Sequence, residues 1–415
     1  MRVSEFQKTR RCDNLCVVEG ENKMKIYTLA GGDEVHRFDR SILVSFSGKR
    51  KVLSTAPFNG GYRTDLTAAL NHDGNYGRGC QVEMKADSYS EHMRLTLREI
   101  GLAETTTVGL ETAAQMENAS VITESFKDLS VTAITTAGIE ASGGRVGDPA
   151  VWYEETGRKG EKEPDQSGME SLTIKPGTIN TILYIDADLY EGTMARALVT
   201  ATEAKTAALQ ELLAPSVNSH GIATGSGTDG IIIIANAESD LFLTDAGKFS
   251  KLGELIGKTV KQSVKEALFL QNGMCAESQH KIISRVRRFG TSEAQIYQRL
   301  IREYESDELL PRHLFSERLD ALESSGPMLG LVSCIAHLLD QYEWGLLCEE
   351  ETLEALHGIF SLAGYKGKMK PCEGEKDSGQ ETCDKEQFVY GVIEDLERMI
   401  IEACLPSLQA CICIR

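Results

Sequence analysis

Lys205 stands where a helical wheel asks for an apolar side chain. Turning Met194–Leu213 at about 100° per residue gathers Met194, Leu198, Leu209 and Leu212 on one face, and Lys205 falls within it beside Thr202. Glu203 points the opposite way, in line with Arg196 and Gln210, so the two charges of TEAK cannot pair within their own helix. Lys205 must then snorkel to the rim or meet a partner from another element. A partly desolvated lysine can act as a base or hold a carboxylate, whereas Glu203 reads first as a solvated face residue. Further polar residues flank this helix where packing alone would not ask for them. Thr178 and Asn180 open an apolar strand, and Thr228-Asp229 closes the turn Ala223–Gly230 before another one. Gly225 and Gly227 in that turn, and Asn59-Gly60-Gly61 earlier, suit backbone amides aimed at an anion or a carbonyl oxygen. They suit plain tight turns equally well.

The elements that must position these groups are a buried strand (GTINTILYIDADL), an alanine-rich helix, a glycine-rich turn and a second buried strand (GIIII), all between Gly177 and Ile234. Upstream, Ile42–Phe46 and Lys51–Ala56 read as strands at hairpin distance, with Pro57 ending the second. Residues 62–80 read as a polar, glycine-rich stretch centred on Asn71-His72-Asp73. A helix is expected from Ser90 to Ile100 with Gly101 as its stop, a short helical piece from Leu110 to Met116, and a strand from Val131 to Ala137. An edge strand is expected near Cys16-Val17-Val18, and residues 154–171 read as a surface insertion. Lys248–Leu270 reads as a long helix.

Past residue 272 the pattern becomes helical throughout, at Ala294–Tyr304, Ser316–Glu323, Met328–Leu347, Glu351–Leu362 and Lys385–Cys404, with a polar linker from Lys366 to Asp384. The expectation is an α+β region, residues 1–272, with a mixed sheet and packed helices, followed by an all-α unit, residues 273–415. A doubly wound α/β sheet is the alternative for the first region.

Composition narrows the function classes. A chain of 415 residues with 41% hydrophobic and 26% charged residues is ordinary for a globular protein and long for one core. A formal net charge of −18 argues against nucleic acid or anionic membrane as a partner. Eleven cysteines at irregular spacing, with no signal-type N-terminus and no membrane-span run, point to reduced thiols and the cytoplasm. His72, His220, the Cys334-x-x-His337 pair and the Cys404, Cys411, Cys413 cluster lack convincing metal spacing, so no metal is expected. Neither a GxxxxGK[ST] loop nor a GxSxG elbow occurs.

Taken in order, LSTAPFNGGYR (53–63), Asn71, GLETAAQM (109–116), TAGIEASGGRVGDP (136–149), GTINTILYID (177–186), ATEAKTAALQEL (201–212) and ATGSGTDG (223–230) resemble the adenosylcobinamide amidohydrolases of corrinoid salvage. The resemblance covers roughly Leu43–Leu270 and leaves the helical unit unnamed. Two departures stand out: Glu140-Ala141 where the family favours Asn-Ala, and Ser226 within a turn that usually reads GTGTD.

The resemblance implies hydrolysis of the amide between a corrin side chain and aminopropanol, with a cobalt corrinoid as substrate and no other cofactor. Lys205 or Asp229 would be the base and Thr228 a nucleophile or donor. Glu203 would serve as a proton donor only if a second layer covered its face. Asn180 and the amides at Gly60-Gly61 or Gly225–Gly227 would hold the oxyanion, with Thr55, Asn59, Asn71 and Thr178 around the substrate. The helical unit would be a wall or lid of the cleft, or a surface for homo-oligomers. A corrinoid sensor or carrier without catalysis is the alternative, and a phosphate-ligand enzyme using its glycine turns is a third.

Overall fold

The structure, a computed structural model, describes residues 23–75, 84–150, 154–155, 158–159, 177–304, 309–366 and 385–405. The strand expected at Cys16–Val18, the linker 366–384 beyond Lys366 and most of the insertion 154–171 lie outside these residues.

Two sheets carry the first region. The five-stranded sheet runs in the order Met24–Thr28, Glu34–Phe38, Ser41–Ser45, Ala68–Asp73 and Thr107–Thr112. Its pairs are antiparallel except the last, which is parallel. The six-stranded sheet runs Gly61–Arg63, Arg50–Ser54, Gly230–Asn236, Ile179–Ile185, Leu129–Ala137 and Ser120–Phe126. Here only Ile179–Ile185 and Gly230–Asn236 are parallel. This is the expected α+β class with mixed sheets; the largely antiparallel pairing is not that of a doubly wound sheet.

Side-chain alternation stacks the layers. Val35, Ile42, Val44 and Leu110 from the first sheet meet Val52, Ile182, Tyr184 and Ile232 from the second in one core. Leu183, Ile185, Ile233 and Val131 point the other way, against the helices Glu191–Glu211 and Lys251–Asn272. The outer face of the first sheet is covered by helix Tyr89–Glu99, through Leu43, Leu70, Met93 and Leu97. The order is helix, sheet, sheet, helix pair. Central strands are buried on both faces, which is why GIIII and TILYI read as unbroken apolar runs. Ala197, Ala201, Ala204 and Ala208 keep one helix thin where it lies against the sheet and the second helix.

Three expectations need correction. Ile42–Phe46 and Lys51–Ala56 do not form a hairpin: Ser41–Ser45 and Arg50–Ser54 lie in different sheets. Both strands must present an apolar face to the space between the sheets. The short link between them crosses the layers, where buried Arg50 bonds Asp33 (Nε–Oδ2 2.7 Å) and Asn236 (Nη1–Oδ1 2.9 Å). Leu110–Met116 is not helical; Thr107–Thr112 is a strand, followed by a single 3-10 turn, Met116–Asn118. The polar stretch 62–80 contains Ala68–Asp73, a strand buried along its whole length, because its polar residues are bonded across the sheets and to the neighbouring strand.

After Gly273, whose φ of +77° ends the long helix, the described chain is helical: Ile282–Val286, Glu293–Glu303, Arg312–Glu323, Gly326–Glu343, Glu349–Leu362 and Lys385–Cys404. These helices enclose their own core, with Phe315, Val332, Leu339, Leu356, Phe360, Leu396 and Ile400 inside. Among the described residues no single helix is long and apolar enough to cross a membrane.

Candidate active site

The polar residues gather at one end of the six-stranded sheet, where the parallel strands Ile179–Ile185 and Gly230–Asn236 begin. Open α/β sheets usually bind ligands at the opposite, carboxyl ends of such strands. Here the antiparallel neighbours change the geometry. Leu129–Ala137 ends, and Arg50–Ser54 leads into Thr55, at that same edge.

Lys205 finds its partner in Asp229, and the two side chains are only 16% and 15% exposed. The Asp229 carboxylate also accepts from the Ile179 amide (3.1 Å), the Ser226 amide (3.0 Å) and the Ser226 hydroxyl (2.6 Å). The carboxylate is therefore ringed by donors, and it ties the turn, the first strand and the helix to one point. Gly225 leaves room for the pair at that point: a Cβ there would lie 2.2 Å from Asp229 Oδ2 and 2.7 Å from Lys205 Nζ, and the ion pair would have to shift. The departure at Ser226 keeps the hydroxyl donor that the threonine of the usual turn would bring. Beside the pair, Thr178 Oγ1 and Thr228 Oγ1 are 2.6 Å apart, with Thr178 buried and Thr228 exposed.

Asn180 and Asn71 join the two sheets beneath this group. Asn180 Nδ2 donates to Asn71 Oδ1 and to the Glu111 carbonyl, both at 2.9 Å, while Asn71 Nδ2 donates to Thr136 Oγ1 at 2.8 Å. Asn180 is 1% exposed, and its Oδ1 is buried without a partner. That oxygen lies 2.7 Å from where a Cβ on residue 230 would sit, in a niche that exists only because residue 230 is glycine. An unsatisfied buried carbonyl oxygen is costly, and a ligand N–H would satisfy it.

Other expected residues are placed differently. Thr55 Oγ1 accepts from the Ile231 amide at 3.0 Å, at the same edge as the cluster. Asn59, at φ 54°, spends its side chain on the carbonyls of Glu104 (2.7 Å) and Thr107 (2.8 Å), so it anchors the turn. Gly60 packs against the Ala56 carbonyl, and Gly61 has φ +78°. Gly227 is open to solvent. Glu203 lies outside the cluster: its carboxylate is 49% exposed and pairs with Lys248 at 2.8 Å. Among the described residues no second layer covers it, so the condition for its role as a proton donor is not met there.

A second polar group was not anticipated. Alternation sends Asn71 between the sheets and His72 outward, beside its strand neighbour Glu111. Glu111 Oε1 is 2.7 Å from Nε2 of fully buried His92, whose Nδ1 accepts from the Lys85 amide at 2.9 Å. Burial pushes Glu111 up, against the pull of His92. His72 shares a 2.8 Å bond with the Ser41 hydroxyl through Nδ1, its Nε2 has no partner, and burial holds its pKa down at about 4. No group of three His, Cys, Asp or Glu arranged to hold a metal occurs among the described residues.

A cleft of about 940 Å³ opens next to the cluster. Gly143-Gly144 pairs with Gly225-Ser226, and the Val146 amide donates to Thr224 Oγ1 at 2.9 Å, so the wall of the cleft runs directly into the Asp229 turn. Glu140, the other departure, also lines this cleft, as do Asn218 and His220, with Arg287 and Trp344 contributed by the helical unit.

Comparison with known proteins gives three results. The family model CbiZ, adenosylcobinamide amidohydrolase, matches residues 26–276. The uncharacterized protein MJ1613 of Methanocaldococcus jannaschii is 36% identical over 234 residues, which are 56% of this chain and 87% of that protein. The PH0078 protein of Pyrococcus horikoshii aligns over 66% of this chain and 92% of its own, at 11% identity and a TM-score of 0.31, too low to bear on the fold.

Proposed function

The chain belongs to the adenosylcobinamide amidohydrolase family, and we propose that it hydrolyses the amide joining the corrin side chain to aminopropanol in adenosylcobinamide, releasing adenosylcobyric acid. The observation that carries this reading is that Lys205, Asp229, Thr178, Thr228, Asn71 and Asn180 all fall within the matched residues and meet at one sheet edge beside a large cleft. A corrin ring with its projecting amides needs an open cleft of that scale. Cobalt enters as part of the substrate, and the reaction is drawn without a resident cofactor, in the cytoplasm, as one step of corrinoid salvage.

Amide hydrolysis needs a nucleophile, a home for the tetrahedral oxyanion and a proton for the departing amine. In the proposed mechanism exposed Thr228, hydrogen-bonded to buried Thr178, holds the attacking water or attacks through its own hydroxyl. The Lys205 ammonium, aimed by the ringed Asp229 carboxylate, stabilises the oxyanion, gives a proton to the departing amine and takes one back from the nucleophile. Asn180 Oδ1, the buried acceptor without a partner, takes the substrate amide N–H and orients the scissile bond. The helical unit, which we take as the separate segment 273–415, supplies one wall of the cleft through Arg287 and Trp344. Support for that division comes from its own hydrophobic core, which begins at Ile282, and from the family match, which ends at residue 276.

Incubation with adenosylcobinamide, followed by mass spectrometry, tests the reading: adenosylcobyric acid and aminopropanol are expected. Tight binding without products would favour a corrinoid sensor or carrier instead, with Glu140 in the cleft marking the divergence.

A further inference from the structure

Two of the carboxylates that line the junction cleft, Asp148 and Glu343, are already engaged. Asp148 Oδ2 accepts from the Arg145 amide (2.9 Å) and from the Ser216 hydroxyl (2.6 Å). Glu343 Oε1 is 2.7 Å from His220 Nδ1. Arg288 forks onto Asp340 at 2.6 and 2.7 Å and also donates to the His220 carbonyl, which pins the 3-10 turn Arg287–Phe289 against the facing wall.

Two guanidinium groups in the same cleft make no ion pair with a described residue. Arg145 makes no ion pair with a described residue; its side chain runs past Gly221, where a Cβ would lie 2.6 Å from its Cδ, and its guanidinium lies 5.7 Å from the centre of the Trp344 ring. Arg287 likewise lacks an ion pair with a described residue. It is open to the solvent of the cleft yet crowded by protein, and burial pushes its guanidinium below the usual value, with Glu140 the one charge acting against that. An arginine cannot shed its charge, so two of them without an ion pair to a described residue, with Glu140 alone acting on Arg287, leave room for an anion in one concavity. In a chain of net charge −18, carboxylates to pair them were plentiful.

We infer that this cleft holds a second binding subsite, for a phosphate-type oxyanion clamped between Arg145 on the family region and Arg287 on the helical unit. A phosphate offers three oxygens and close to two charges, enough for forks from two separate walls. A carboxylate has two oxygens, which one arginine fork can take alone. Because one arginine comes from each side of the junction, the anion draws the helical unit onto the wall that runs into the Asp229 turn.

The subsite is independent of the amide chemistry, so its test uses inorganic pyrophosphate and the full chain. Calorimetric titration at constant ionic strength should show saturable, one-site binding, and pyrophosphate should raise the thermal midpoint where sodium chloride of equal ionic strength does not. Arg145→Met and Arg287→Met should each weaken binding by roughly tenfold or more, as loss of a charged hydrogen-bond donor does. Arg145→Lys and Arg287→Lys keep the charge but lose the fork, and should also bind more weakly. Arg196→Met, which removes an exposed cation elsewhere, should match wild type. The inference is overturned if pyrophosphate does not bind, if sodium chloride reproduces the stabilisation, if succinate binds as tightly as pyrophosphate, or if the double Met variant binds like wild type.

Discussion

Replacing Lys205 by methionine keeps the length and apolar stem of the side chain and removes only its charge. Asp229 would then lose its cation while staying 15% exposed. Breaking a fully buried pair costs about 3–5 kcal/mol. Here the carboxylate retains the Ile179 amide, the Ser226 amide and the Ser226 hydroxyl, so the loss should be smaller, about 1–3 kcal/mol. For a region of this size that is a drop in midpoint of roughly 3–10 °C. Turnover should fall much further, by roughly 10²–10³-fold in kcat, as when one donor to an oxyanion is removed. The assay is aminopropanol release, with the thermal midpoint measured on the same preparation. Asp229→Asn and the double variant complete a cycle, in which the double variant should cost much less than the sum of the singles. A folded Lys205→Met protein with wild-type turnover would refute the reasoning and remove lysine from the mechanism.

Three further outcomes are expected. Gly230→Ala places a methyl 2.6 Å from Leu110 Cδ2 and 2.7 Å from Asn180 Oδ1. It should cost about 1–3 kcal/mol in urea melts and depress kcat/KM by shifting Asn180, and an active, equally stable variant would show that the niche is unused. Thr228→Val should lower kcat by roughly 10²-fold with little change in midpoint, since Thr228 is exposed; unchanged kcat would exclude its hydroxyl. His72, held down at about 4 by burial with Lys85, Arg40 and His92 adding to the effect, stays neutral in the folded protein while an unfolded histidine takes up a proton near 6.5. Its contribution is therefore complete above about pH 6.5 and is lost as pH falls to about 4, a change of ~3 kcal/mol. Glu111, raised by burial, works oppositely as pH rises, so the difference between wild type and His72→Gln isolates the histidine. Parallel stability profiles for the two proteins between pH 7 and 4.5 would contradict this.

What could be read in the residues follows from how local the signal is. The wheel shows that Lys205 has no partner on its own helix, and the structure supplies one 24 positions along the chain, in Asp229. The apolar runs at 179–185 and 230–236 identify buried strands directly, and the helices after residue 292 declare themselves by periodicity. The errors share one cause. Residues 42–46 and 51–56 look like a hairpin because proximity in sequence usually means pairing, but the space between the sheets needed an apolar face from each strand. Asn71-His72-Asp73 looks like a loop because Asn71 and His72 are satisfied by partners far away, such as Thr136, Asn180 and Ser41. The segment Leu110–Met116 carries too few residues to separate strand from helix, and misreading it concealed the Glu111–His92 pair. Glu140 stands out in the sequence as a departure from the family, but its place on the cleft wall depends on a helical unit that the resemblance does not cover.

The most direct test of the central claim is hydrolysis of adenosylcobinamide in water enriched in oxygen-18. Attack of water on the amide carbon predicts adenosylcobyric acid with one labelled oxygen in its new carboxylate and unlabelled aminopropanol, formed in proportion to enzyme and time. Adenosylcobinamide recovered intact by a folded, corrinoid-binding protein would contradict it, as would a product with no label.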